Sequence, residues 1–239
     1  MANTTQSSYR GGELDLFASA TNWKAYVKAE VGEYLIGNVL EVGAGIGGTT
    51  AALYHGGTHQ WLCLEADPQQ AKRLQLYLAK SRCPGATSII AGTLEAFAER
   101  PYFDCVLYID VLEHISDDRA QVALAAKLVR PKGHIVILSP AHQWLFSEFD
   151  KRIGHLRRYN KTTLQSLVPP GWVEQKVAYL DCLGVFLSLG NVWALKRSLP
   201  TAAQLAFWDR VCVPISRVAD RVLRRNFGKS ILAVWQKGK

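Results

Sequence analysis

No two cysteines in this sequence stand close enough to form a CxxC pair. The five, Cys63, Cys83, Cys105, Cys182 and Cys212, are scattered, and Cys63 and Cys105 lie inside apolar runs. That distribution argues against a disulfide framework or a zinc site; reduced, buried thiols are expected. His55, His59, His134 and His142 have no metal-ligand company, and the spacing of the first pair encloses Gly56 and Gly57 and reads as loop. No metal site is expected. Long apolar runs are missing too. The uncharged stretch from Cys182 to Leu195 falls short of the roughly 20 apolar residues a membrane span needs, and it holds Gly184 and Gly190. Met1 to Leu16 is polar and has no apolar signal core, so a cytoplasmic protein is expected and the sequons at Asn3 and Asn160 carry no weight. Repeats, low-complexity tracts and an aromatic–basic RNP1 signature are absent, and nucleic acid is not an expected partner.

What is present suits one large α/β domain. The chain has 239 residues, of which 49% are hydrophobic, enough for a substantial core and too many for global disorder. Charge is unevenly spread. Residues 1–150 hold 12 Lys and Arg against 16 Asp and Glu, whereas residues 151–239 hold 16 against 4. The C-terminal part therefore either presents a solvated basic face or meets something anionic: a phosphate-bearing substrate, a nucleic acid or a membrane surface.

Strand and helix patterns alternate, which argues for a parallel sheet with helices on both faces. An amphipathic helix is expected over Asn22 to Ile36. Short β-rich runs follow at Val39–Val42, Trp61–Glu65, Ser88–Ala91, Cys105–Asp110 and Ile135–Ser139, with helices such as Pro68–Lys80 and Asp118–Val129 between them. The strands read as nearly continuous apolar runs, as when both faces are covered. Two more strands are expected at Trp172–Tyr179 and Ser230–Gln236. Between them lies an insertion, Leu180 to Phe227, apolar and then basic. Within it, Gln204 to Arg225 is amphipathic, with Phe207, Val211, Ile215, Val218 and Leu223 roughly on one face and Arg210, Arg217, Arg221, Arg224 and Arg225 supplying charge. Two readings stand: a helix that packs this apolar face on the core, or an interfacial helix or lid over an amphiphilic substrate.

The strongest signal is the run from Val39 to Gly48, VLEVGAGIGG, placed where a first strand should turn into a helix. Its glycines permit a tight turn and close approach of a ligand. Gly43, Gly45 and Gly48 satisfy GxGxxG, so a dinucleotide is one candidate ligand. Glu41, two residues before the first glycine, sits poorly beside a pyrophosphate and suits a cationic ligand such as S-adenosylmethionine (SAM), which carries an ammonium and a sulfonium. Glu65 ends the next strand, 22 residues after Gly43, where a carboxylate accepts ribose hydroxyls of either ligand.

At these residues the chain resembles the class I SAM-dependent methyltransferases, in their small-molecule branch. Glu41 to Gly47 is similar to the family's first motif and Leu64 to Asp67 to its second. Ala91-Gly-Thr-Leu94 stands where the adenine-contacting loop follows the third strand, with Thr93 in place of an aspartate. Phe103 to Asp110 and the following Val-Leu-Glu-His-Ile115 resemble the fourth strand and the segment after it, Leu128 to His134 the turn before the fifth strand, and Gly154 to Tyr159 a segment beyond that strand. The Asn/Asp-Pro-Pro-Tyr sequence of many base-amino methyltransferases is missing after Asp110.

The resemblance implies a Rossmann-like, doubly wound α/β fold. Its seven-stranded sheet is mainly parallel with an antiparallel last strand, and helices cover both faces. Residues 1–239 form a single domain, and 180–227 a helical substrate cover. It implies SAM as cofactor, S-adenosylhomocysteine as product and a small-molecule acceptor, hydrophobic or amphiphilic. Gly43, Ala44, Gly45 and Gly47 would hold the methionine moiety, with Glu41 balancing its charge; Glu65 and Ala66 would hold the ribose. Thr93 and Leu94 would flank the adenine, and Asp110 and Val111 would line the reactive end. His114 and His155 are the candidate proton acceptors, beside Asp150, and Tyr159 the residue that orients the acceptor. Arg157 and Arg158 either grip an anionic substrate or form structural salt bridges. Asn22 to Tyr26 either closes over SAM, with Lys24 or Tyr26 on its carboxylate, or forms a core helix in which Trp23 and Val27 pack inward. An NAD-dependent oxidoreductase and a non-catalytic SAM-binding or nucleic-acid-binding module remain the alternatives, and peripheral membrane contact stays open.

Overall fold

The structure, a computed structural model, describes residues 12–81, 87–97, 102–190 and 200–238. Asn3, Cys83 and the end of the uncharged stretch at 191–195 lie outside the described residues.

Seven strands form one sheet: β1 (Gly37–Val42), β2 (Thr58–Glu65), β3 (Thr87–Ala91), β4 (Phe103–Ile109), β5 (Val129–Pro140), β6 (Trp172–Leu180) and β7 (Ser230–Lys237). Their spatial order is β3-β2-β1-β4-β5-β7-β6. The pairs from β3 through β5 are parallel, and β7 runs antiparallel to both β5 and β6. The apolar runs make this arrangement possible. In β1, Val39 enters one buried cluster and Leu40 and Val42 the other, so the sheet is covered on both faces. The order reverses between β1 and β4, and there the carboxyl ends of the strands open a crevice.

The helices are α1 (Gly12–Ala18), α2 (Thr21–Val31), α3 (Gly48–Leu53), α4 (Pro68–Lys80), α5 (Asp118–Leu128), α6 (Glu148–Ile153), α7 (Lys161–Gln165), α8 (Cys182–Gly190), α9 (Ala202–Phe207) and α10 (Val213–Val222). Local chemistry sets their ends. Asp67 caps α4 by accepting from the Gln69 N–H at 2.8 Å, with Pro68 in the first turn, and α4 buries Ala71, Leu74 and Leu78 at helical spacing. The helix expected over Asn22–Ile36 is shorter: α2 stops at Val31, and a 3₁₀ turn follows at Gly32–Tyr34, where glycine weakens a helix. Cys63, Cys105, Cys182 and Cys212 are buried thiols. Among the described residues no helix is long and apolar enough to cross a membrane.

In the segment after β6 the structure separates the two readings of the amphipathic stretch. α9, a π turn (Trp208–Cys212) and α10 form one continuous helical stretch, but its apolar stripe does not pack on the core. Phe207, Val211, Ile215, Val218 and Leu223 are all exposed, Val218 to 64%. The buried side mixes Leu205, Trp208, Cys212 and Val213, which join the core, with Asp209, Ser216 and Asp220. Directional bonds from the buried carboxylates fix which side faces in. The Asp209 carboxylate accepts from the Asn22 and Trp23 N–H groups, and the Asp220 carboxylate from the Tyr26 hydroxyl and the Asp181 and Cys182 N–H groups. Leaving such groups unpaired in the interior costs more than exposing apolar surface.

Candidate active site

The chain turns from β1 into α3 through three left-handed glycines, Gly43 (φ +70°), Gly45 (φ +56°) and Gly47 (φ +88°). Two have no room for a side chain: a Cβ on Gly43 would stand 2.6 Å from Val111 Cγ2, and one on Gly47 2.6 Å from Leu74 Cδ1. Gly45 is different. Only Leu14 lies near its missing Cβ, at 3.6 Å, and the residue borders a cavity. The Gly43 and Ala44 N–H groups donate to the Leu64 carbonyl, which ties the turn to the end of β2.

The two strand-end carboxylates do different things. Glu65 braces the turn: its Oε2 accepts from the Gly45 N–H at 2.7 Å and its Oε1 from the Asp67 N–H at 2.9 Å. Glu41 lies beneath the turn, fully enclosed, and does not line the cavity. Its Oε2 accepts from the Thr50 hydroxyl at 2.7 Å and the Trp61 indole N–H at 2.8 Å. Burial pushes the Glu41 carboxyl up to about 7, against the pull of those two hydrogen bonds. Beyond β3, Thr93 is exposed and Leu94 is buried in the core, and the Gly92 N–H donates to the Glu65 carbonyl. Ala66 is exposed beside Glu65.

A network builds the region after β4 and β5. Asp110 takes a left-handed conformation (φ +54°) at the end of β4, and its side chain borders the cavity. The protein around it raises its carboxyl, while His155 and Lys229 pull the other way. Val111 packs against Gly43. His114 is exposed to the cavity, its Nδ1 3.1 Å from the Gly154 carbonyl oxygen and its ring 4.6 Å from that of His155. His155 is buried, with Nδ1 2.8 Å from Asp150 Oδ1 and Nε2 3.6 Å from Glu113 Oε1. Asp150 is the hub. Arg158 donates to both of its oxygens at 2.9 Å, and Ser147 donates to Oδ2 from N–H and hydroxyl. Burial alone would raise Asp150, but the hydrogen bonds of His155 and Arg158 hold it well below the usual carboxylate range.

Some expected residues stand elsewhere. Tyr159 is buried away from the cavity, and its hydroxyl donates to Asp118 Oδ2 at 2.8 Å. Arg157 pairs with Asp118 at 2.7 Å and Arg158 with Asp150, so both arginines are engaged structurally. Tyr26 is committed to Asp220, whereas Lys24 borders the cavity beside the glycine turn, its Nζ donating to the Phe17 and Ala18 carbonyls. Trp23 and Val27 border the cavity too, in a helix that also packs inward. Among the described residues, Glu113, His114 and His155 place possible metal-ligating atoms within 4.8 Å of one another.

The cavity measures about 260 Å³ and lies at the crevice between β1 and β4. The glycine turn and Asp110 contribute one part of its lining; Phe17, Phe149, Ile153 and Trp208 contribute an apolar part. Residues 40–137, which span the turn, β2, β3, β4 and most of β5, match the family model of a methyltransferase domain. The likeness to a methyltransferase domain covers the segment that builds the turn and the crevice. The same fold recurs in a candidate sarcosine dimethylglycine methyltransferase from Galdieria sulphuraria (TM-score 0.61, 19% identity, 91% of this chain and 85% of that one). It recurs in a candidate methyltransferase of Haloferax volcanii in complex with the activator Trm112 (0.66, 14%, all of both chains). It recurs again in the N-methyltransferase NodS of Bradyrhizobium japonicum WM9 bound to S-adenosylhomocysteine (0.59, 14%, 98% and 95%). No curated protein matches the sequence.

A methyltransferase domain implies SAM as cofactor, and the residues present fit it. The open side of Gly45 is a cradle that a side chain would fill, and Asp110 offers a carboxylate at the border of the same cavity to a cationic ligand. The dinucleotide suggested by the glycine spacing gives way to this assignment. Lys229, Trp208 and Phe149 were not legible as site residues, because they come from distant segments that only the fold brings to the cavity. Lys229 had one weak signal, a lone lysine at the entry to an apolar strand. Burial lowers its ammonium from the ordinary value, with Asp181 acting against the shift.

Proposed function

We propose that this methyltransferase transfers its methyl group to a small hydrophobic or amphiphilic acceptor bound in the cavity between the glycine turn and the apolar side chains of α1, α6 and the π turn. The observation that carries this reading is the cavity's composition. Phe17, Phe149, Ile153 and Trp208 offer apolar contact, and the polar groups are few: Asp110, His114, His155, Arg158 and Lys229 among them. Lys229, at the cavity border, suits an acceptor with an anionic end, such as a phosphate.

In this reading Gly43, Ala44, Gly45 and Gly47 cradle the methionine moiety, and Lys24 meets its carboxylate. Glu65 and Ala66 border the ribose, Thr93 and Leu94 the adenine, and Asp110 and Val111 the reactive end. Glu41 acts from below, by fixing α3 through Thr50. When bound, SAM supplies a methyl carbon already activated by sulfonium. The protein's own work is to align the acceptor in line, exclude water and take a proton where the acceptor carries one. His114 takes it: an Nδ1 proton shared with the Gly154 carbonyl makes Nε2 the basic nitrogen. His155, held between Asp150 and Glu113, positions the His114 ring rather than reacting.

Calorimetric titration with SAM, S-adenosylhomocysteine and NAD tests the cofactor site. Binding of SAM that Gly45→Arg abolishes in folded protein supports it; no SAM binding, or NAD binding instead, overturns it. A panel of lipid-linked phosphates and neutral small acceptors tests the acceptor, and equal turnover of both sinks the amphiphilic reading. With a turned-over acceptor in hand, His114→Ala should lower kcat by about 10²-fold and leave SAM affinity unchanged.

A further inference from the structure

Among the described residues the outer face of α9 through α10 has no partner, and its chemistry says what would cover it. Phe207, Val211, Ile215, Val218 and Val222 recur every three or four residues and are all exposed, Val222 to 79%. One residue before Val211, Val218 and Val222 stand Arg210, Arg217 and Arg221, a second row round the helix from the first. Arg224 continues that row. The segment from Ala202 to Asn226 has only two acids, Asp209 and Asp220, and both are buried in hydrogen bonds. Every exposed charge on this stretch is therefore positive. The neighbouring α8 adds exposed Phe186 and Leu187 and is tied to α10 through the Leu183 N–H, which donates to Ser216.

We propose that this face docks on an anionic lipid surface, its apolar row entering the acyl boundary and its arginines meeting the headgroups. An apolar row beside a cationic row, with no exposed acid, is the pattern of an interfacial helix. A second copy of the chain fits worse, since a twofold pairing of this stripe brings arginines against arginines with no acid between them. A nucleic acid fits worse as well, because the row is aliphatic apart from Phe207 and offers bases little to stack on. The orientation is built in. Asp209 and Asp220 on the opposite side lock the helix, so the apolar row cannot turn inward without unpairing buried carboxylates. Trp208, inside the same stretch, lines the cavity, so docking sets the cavity wall close to the bilayer. The proposal stands on the helix alone and does not depend on the acceptor proposed above.

The test is sedimentation of the full chain with vesicles of phosphatidylcholine, with and without about one-third phosphatidylglycerol. The expected result is binding to the anionic vesicles that weakens as salt rises. Ile215→Glu with Val218→Glu should cut that binding at least tenfold, and Arg210→Glu with Arg221→Glu by more than tenfold with a flatter salt dependence. Thermal melting must show each variant folded, which these exposed positions permit. Two results with the vesicles would overturn the proposal. One is wild-type protein that stays in the supernatant with both vesicles. The other is binding that none of the four substitutions moves, which would place it on another basic surface. A dimer in sedimentation velocity that Ile215→Glu dissociates would likewise overturn it, in favour of a second copy.

Discussion

Two regions of this molecule choose their buried side in different ways. From Gly37 to Glu65, apolar side chains go inward and polar groups gather at the strand ends, where the turn and the cavity lie. From Ala202 to Val222 the buried side is mixed: two aspartates and a serine face the core beside Leu205, Trp208, Cys212 and Val213, while Phe207, Val211, Ile215 and Val218 face out. The difference teaches that an amphipathic pattern announces two faces without saying which is buried. In the sheet, strand pairing and cover on both sides leave apolar residues no choice. In the helix, a handful of buried hydrogen bonds outweigh the apolar row, because an unpaired carboxylate in the interior costs several kcal/mol and an exposed valine costs little.

The sharpest way to break the comparison is to remove a bond that orients the helix. Asp220→Ala leaves the Tyr26 hydroxyl and the Asp181 and Cys182 N–H groups without their acceptor. A loss of about 3–5 kcal/mol in unfolding free energy is expected, read by urea denaturation. A loss under about 1 kcal/mol would mean that apolar contacts, not these bonds, set the helix face.

Much of the first region was legible and little of the second, for the same reason. The apolar runs and the glycine spacing are local, so all seven strands and the turn could be placed, and the cavity does gather Gly43, Ala44, Gly45, Asp110, His114 and His155. What a side chain does at a distance was not legible. Glu41 stands by the turn in sequence yet points beneath it to Thr50 and Trp61. Tyr159 follows the arginine pair yet turns away to Asp118. The Glu113–His155–Asp150–Arg158 network joins residues from three segments, and nothing in the spacing foretells it. For the helix, Asp209 and Asp220 were the clue: two acids in an arginine-rich stretch, each an acceptor for backbone N–H groups elsewhere in the fold.

A smaller effect sharpens the comparison from the sheet side. Burial holds the Glu41 carboxyl near 7, above its ordinary value of 4.5. Between those values the folded protein keeps a proton that the unfolded chain has released, so stability falls as pH rises from about 4.5 to 7. Glu41→Gln keeps an acceptor for Thr50 and Trp61 and removes the titration. The variant should gain on the wild type by about 3 kcal/mol between pH 4.5 and pH 8, measured by denaturant unfolding at both. A constant difference across that range would mean that Glu41 is ionised throughout, with a cation or water near it.

The smallest expected effect is the most telling about the helix. Val218→Ser replaces an apolar side chain that is 64% exposed, in the outward stripe. If the stripe contributes nothing to folding, unfolding free energy should change by less than about 0.5 kcal/mol, as for other surface positions. The same change in a buried valine such as Val136 removes a core contact and introduces a hydroxyl without a partner, at a cost of about 2–4 kcal/mol. Similar side chains at similar helix or strand spacing would then differ severalfold in cost by placement alone. Should Val218→Ser instead cost as much as the buried change, the stripe must be covered in solution, and the copy or surface that covers it would be part of the folded state.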